Sequence, residues 1–103
     1  MRDYVREENL LSALASSTRL EILDMISEEH TNPGDIAERL NKHRSSIEKH
    51  LRILVTAGLI EKKPSLNEMG QLSLRYRIMI DLSGLHSSVD AILKNQNLKD
   101  SSI

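Results

Sequence analysis

NKHRSSIEKHLRILVTAGLIEKK, residues 41–63, opens on a polar, basic cluster, passes into a helical apolar pattern and then changes period. Placed on a helical wheel from Arg44 to Ala57, Ile47, Leu51 and Leu54 fall on one side at i, i+4 and i+7, with Val55 at its edge. Ser45, Glu48, Lys49, Arg52 and Thr56 fall on the other side. Gly58 is placed to end this helix in a left-handed cap. The pattern is that of a helix held to a core by three aliphatic residues, with a small, polar and basic face turned outward near its N-terminus. Small side chains admit a backbone to the major groove of B-DNA, about 12 Å wide. Basic ones neutralise the phosphates along its walls.

Upstream, HTNPGDIAERLN predicts a two-turn helix with Asn32 as N-cap, Pro33 at the first helical position and Asp35 at the positive helix end. Ile36, Ala37 and Leu40 face inward. A break at Asn41 to His43 joins the two helices, which together predict a helix-turn-helix. Before them, SSTRLEILDMISEE predicts a helix ending near Glu29, with Thr18 and Glu21 as a capping box. Its buried face holds Leu20, Leu23 and either Ile22 or Ile26. Val5, Leu10, Leu11 and Leu14 mark a first helix over about 5–15.

Downstream, LIEKK predicts a short strand, PSLNEMGQ a polar turn, and LSLRYRIMI a second strand. Leu72, Leu74, Tyr76 and Ile78 alternate with Ser73, Arg75, Arg77 and Met79. This hairpin is a candidate wing, with Arg75 and Arg77 on one strand and Lys62 and Lys63 on its partner. DLSGLHSSVDAILKNQ predicts a last helix capped by Ser83, with Leu85, Val89, Ile92 and Leu93 as its stripe. The expected fold is mainly α with a small β-hairpin, a winged helix-turn-helix in the order α-α-α-α-β-β-α. Residues 1–103 form a single domain.

Composition narrows the function. The chain has no cysteine, which excludes disulfides, thiolate metal sites and a cysteine nucleophile. No apolar run reaches the roughly 18 residues that span a bilayer, and the charged MRDYVREEN start has no signal-peptide core behind it. A cytoplasmic protein without membrane association is expected. The net charge is −1 but unevenly spread. Residues 1–41 carry four arginines against nine acids, a net −5; residues 42–77 carry eight basic residues against three acids, a net +5. Such asymmetry points to a polyanion-facing segment, although chance clustering of surface charge explains it equally well by itself.

Taken in order, LASSTRLEILDMISEE, DIAERL, SSIEKHLRILVTAGLIEKK and LRYRI resemble winged helix-turn-helix regulators of the ArsR type, over roughly residues 8–80. The specific parts are STRLEIL and the S-x-I-x-x-H-L-x-x-L-x-x-A-G-L-I pattern from Ser45 to Ile60. The resemblance implies a homodimer on a palindromic operator in double-stranded DNA, with transcription repressed until an effector, unknown here, relieves it. It also implies that Ser45, Ser46, Glu48 and Lys49 face the groove, that His50 matches the family's histidine before the leucine, and that Arg75 and Arg77 belong to the wing. The expected DNA-binding set is Lys42, His43, Arg44, Ser45, Ser46, Glu48, Lys49, Arg52, Lys62, Lys63, Arg75 and Arg77. The expected dimer interface is Val5, Leu10, Leu11, Leu14, Leu85, Val89, Ile92 and Leu93. Pairing these end stripes across a twofold axis buries apolar area worth roughly 25 cal/mol per Å². Three departures stand out: Lys42 where relatives place an apolar turn residue, Glu48 where many have a small polar one, and no cysteine pair on the helix before recognition.

Other chemistry finds little support. His86 and Asp90, at i, i+4 with Asp81 nearby, are too few for a closed zinc site, which needs about four ligands; no metal or other cofactor is expected. His50 reads as a boundary histidine that packs and hydrogen-bonds, His30 has no evident partner, and His43 is placed to cap the recognition helix or touch a phosphate. The serine pairs have no glycine-flanked elbow and there is no phosphate-cradling loop, so no enzyme activity is expected. The rival function is a winged-helix protein-interaction module without DNA contact.

Overall fold

The structure is a computed structural model that describes residues 3–101, with side chains to residue 96. Its elements are α1 (Val5–Leu14), α2 (Ser17–Ser27), α3 (Pro33–Leu40), α4 (Arg44–Thr56), β1 (Ile60–Leu66), β2 (Leu72–Ile78) and α5 (Leu82–Ser101). This is a winged helix-turn-helix in the expected order.

Local chemistry sets most boundaries. The Asn32 side chain accepts from the Gly34 and Asp35 amides, and Pro33 occupies the first turn of α3. Asn41, at φ 53, turns the chain out of α3 in the left-handed region. Gly58, at φ 77, ends α4: its amide donates to Val55 O and the Leu59 amide donates to Leu54 O, both at 3.0 Å. That pair of bonds is a Schellman cap, and glycine removes the steric cost of its left-handed residue.

Two expected caps are displaced. The α2 helix starts earlier than Thr18, because the Ser16 side chain accepts from the Arg19 amide at 3.2 Å; Thr18 and Glu21 lie inside the helix. The α2 helix also ends at Ser27, with Glu29 at φ 71 reversing the chain. At α5 the cap is Asp81, whose Oδ1 accepts from the Gly84 amide, and Ser83 is helical.

The core is a single aliphatic cluster. Ile22, Leu23, Ile36, Ile47, Leu51, Leu54 and Leu59 are fully enclosed, with Ala13, Ile26, Ala37 and Ile60 around them. Both Ile22 and Ile26 therefore join Leu23, while Leu20, about 60° around the helix from Leu23, is 36% exposed. The expectation for Leu20 fails because burial follows the face that meets α4 and β2, which a wheel leaves undetermined where leucines and isoleucines span nearly half of the helix.

The strands pair antiparallel from Ile60↔Ile78 to Leu66↔Leu72. The first strand runs through Pro64 to Leu66, beyond the expected end. In a two-stranded sheet every strand is an edge, so a proline without an amide donor is tolerated. The loop is accordingly only residues 67–71, tied by Asn67 Oδ1 accepting from the Met69 and Gln71 amides. The apolar face of β2 is only half covered. Tyr76 and Ile78 pack on the core, whereas Leu72 and Leu74 project past it, 73% and 43% exposed.

Candidate nucleic-acid interface

The expected recognition helix is α4. Ile47, Leu51 and Leu54 are each 0% exposed, so its inward face is fixed by burial. Truncation of any one of them costs about 2–5 kcal/mol. The outward face carries Ser45, Ser46, Lys49 and Arg52, all exposed. Among the described residues neither Lys49 nor Arg52 has a hydrogen-bond or ion-pair partner.

The flank toward the wing is different. Arg44 Nε donates to Glu48 Oε1 at 3.1 Å, one helical turn apart. The Glu48 carboxylate also lies near Tyr76, whose phenol pKa is raised by burial and then by that charge. Arg44, Glu48, Lys62, Leu72, Leu74 and Tyr76 line one cleft between α4 and the hairpin. Lys42 and His43 sit exposed in the turn before α4. His43 occupies the N-cap position, but its side chain makes no cap bond.

On the wing the register divides the four expected basic residues. Lys63 is opposite Arg75, and Glu61 opposite Arg77, so Lys63, Arg75 and Arg77 share one face; Lys62, opposite Tyr76, belongs to the other. Glu61 sits among the cations. Its Oε2 accepts from Arg77 Nη2 at 3.2 Å, and its Oε1 is 3.8 Å from Lys63 Nζ. Sequence reasoning missed this acid as an ion-pair partner, because only the register reveals that it stands across from Arg77.

His50 lies on the other flank of α4. Its Nδ1 is 3.1 Å from Arg19 Nη1, and the same guanidinium donates to Ala13 O at 2.6 Å and Ser12 O at 3.2 Å. Arginine offers only donors, so His50 accepts here in its neutral form. Burial, with the charges of Arg19, Lys49 and Lys42, lowers its pKa below the ordinary histidine value. Arg19 thus ties the C-terminal end of α1 to α2 and α4. The sequence marked Arg19 only through the STRLEIL resemblance.

The remaining histidines have carboxylate partners: His30 Nδ1 is 3.2 Å from Asp35 Oδ2, and His86 Nε2 is 3.0 Å from Asp24 Oδ1. The expectation that His30 stands alone is therefore corrected. Its partner lies five residues on, across the α3 entry turn. Among the described residues no three His, Asp or Glu side chains converge on a point that a metal ion would occupy. No helix there is long and apolar enough to cross a membrane.

The expected interface residues at the chain ends differ in cover. Val5, Leu10 and Leu11 are 40–62% exposed and Val89, Ile92 and Leu93 43–61%, whereas Leu14 is half-buried against the core and Leu85 is half-buried. At 100° per residue Val5 stands about 120° from Leu11, so the two do not share one stripe of α1.

The family model described as "Bacterial regulatory protein, arsR family" matches residues 16–62. The transcriptional repressor SdpR of Bacillus subtilis (strain 168) is 40% identical over 52 residues, 50% of this chain. The match spans 58% of that relative's length. A crystal structure of a possible transcriptional regulatory protein (fragment 1–100) from Mycobacterium bovis superposes with a TM-score of 0.65 at 24% identity, covering 86% of this chain and 91% of the other. The fold is shared with that structure. Over residues 16–62, from the start of α2 into β1, this chain is similar to the arsR family of bacterial regulatory proteins.

Proposed function

We propose that the chain is a DNA-binding transcriptional repressor that acts as a homodimer on a palindromic operator. The observation that carries this reading is α4: a helix locked to the core by three fully buried residues, with Lys49 and Arg52 exposed on its outer face and without a partner among the described residues. Unpaired cations on a rigid helix favour phosphate contact, since binding DNA releases the counterions held there. The serines near its N-terminus let the backbone approach base edges. Lys63 and Arg75 extend the basic surface onto the wing, and the uncovered apolar residues of α1 and α5 supply the twofold contact. A C2 dimer sets two such helices about 34 Å apart, one turn of DNA. The name of the Bacillus subtilis relative supports repression.

The test is a double substitution, Lys49→Ala with Arg52→Ala, both exposed and outside the core. Affinity for a duplex carrying the native upstream region should fall at least tenfold at about 0.15 M salt, with the thermal midpoint unchanged. Binding as tight as the parent's would refute the assignment.

A second reading has its own observation. Arg44 and Arg77 are already neutralised by Glu48 and Glu61, which favours a winged-helix module that binds protein instead. Salt separates the two: phosphate-driven binding weakens steeply as salt rises, and a chain that binds no duplex at any salt is the interaction module.

A further inference from the structure

Beside the outer face of α4, helices α1, α2 and α4 border an open hollow of about 570 Å³. Ala13 and Ile53 give it apolar walls, Asn9 and Thr56 give it polar ones, and Arg19 and Arg52 bring two guanidiniums to it. No carboxylate lines it; Glu7 borders the adjoining depression. Arg19 commits three of its five N–H donors to Ala13 O, Ser12 O and His50. Arg52 has no partner among the described residues. Two like charges in a half-apolar hollow, with donors left over and no acid to offset them, are the complement of an anion.

We propose that this cavity binds a small organic carboxylate. Its apolar body lies on Ala13 and Ile53, and its carboxylate is held by Arg52 with Arg19 behind. A DNA phosphate suits the place less well, since phosphate ridges are hydrated and the walls here are partly greasy. Arg52 also stands about 12 Å along α4 from Arg44, given 1.5 Å per residue. The consequence for regulation rests on the DNA-binding reading: a guanidinium holding the ligand is withdrawn from phosphate, so ligand and duplex weaken each other by the same factor.

The probe is benzoate, with benzamide as its neutral match, titrated into the full chain while the Ala13 and Ile53 methyl resonances are followed. Benzoate should shift them saturably and benzamide should bind at least about tenfold more weakly, the worth of a charge-assisted pair over a neutral one. Asn9→Trp fills the cavity from the exposed side of α1 and leaves both guanidiniums in place; it should abolish saturation while keeping the parent's helical spectrum and duplex affinity. Arg52→Gln should reduce benzoate to the affinity of benzamide, and carries the test alone if Asn9→Trp fails to fold. Equal binding of the two probes, absence of saturation by benzoate, or full benzoate affinity in a folded variant overturns the site. Saturating benzoate should raise the duplex Kd several-fold, and an unchanged Kd overturns the coupling. A chain that takes benzoate in this cavity yet binds no duplex would refute the DNA-binding reading and leave the site standing.

Discussion

His50 is chemically committed by one neighbour. Because Arg19 can only donate, His50 Nδ1 must accept, which leaves the imidazole neutral with its proton on Nε2. Protonation would break that bond and add a cation beside Arg19. The folded-state pKa is lowered, by burial first, so below the unfolded value the unfolded chain binds more protons than the folded one. Stability should therefore fall as pH drops through the window beneath about 6.5 and level off below the folded pKa. His50→Asn keeps an acceptor and removes the titration; its thermal midpoint should change less than the parent's between about pH 7 and pH 5. An identical pH profile for the two proteins would show that the Arg19 contact is not what senses acid. At the entry to α3, Asn32→Ala removes the acceptor of two amides of that helix. It should cost about 1 kcal/mol, read as a lower urea midpoint with unchanged slope.

At the scale of elements, α4 and the hairpin are basic surfaces that carry their own brakes. Glu61 holds Arg77 across the strands and approaches Lys63. Exposed pairs of this kind contribute little stability, at most about 1 kcal/mol, but they do decide how many cations are free for a polyanion. Glu61→Gln should leave the fold intact and tighten duplex binding at low salt. The plot of log affinity against log salt should steepen by about one for each additional phosphate that a released cation neutralises. An unchanged slope would place Arg77 outside the interface. The same elements show how far the sequence could be read. The α4 stripe, the Asn32 cap and the Gly58 terminus were all legible, since each depends on residues within one or two turns. The burial of Ile22 over Leu20 was not, because the aliphatic residues of α2 span nearly half of the helix and only its neighbours choose among them. Nor was the Lys62 side of the wing, since register fixes it and pairing begins at Ile60↔Ile78.

The whole molecule is elongated, 60 × 34 × 23 Å, with a radius of gyration of 16.5 Å against about 13 Å for a compact chain of 100 residues. The twenty-residue α5 touches α2 through the His86–Asp24 contact and carries Val89, Ile92 and Leu93 uncovered. Apolar residues along an unsupported helix favour a partner surface. If that partner is a second copy, the parent should sediment at twice the chain mass of 11.7 kDa. Ile92→Lys, which touches no core residue, should shift it to the single-chain mass with its helical content kept. A parent that sediments as a single chain would remove the twofold arrangement from the proposed function.

The sequence by itself determined where most helices begin and end, which face of α4 turns inward, and that the middle of the chain is cationic. These follow from interactions spanning a few residues and from a count of charges. Tertiary structure alone decided which arginines meet partners from distant parts of the chain. Arg77 meets Glu61 sixteen residues away and Arg19 meets His50 thirty-one away, separations that no local period encodes. The hollow beside α4 likewise exists only because residues of α1, α2 and α4, far apart in sequence, come together around it.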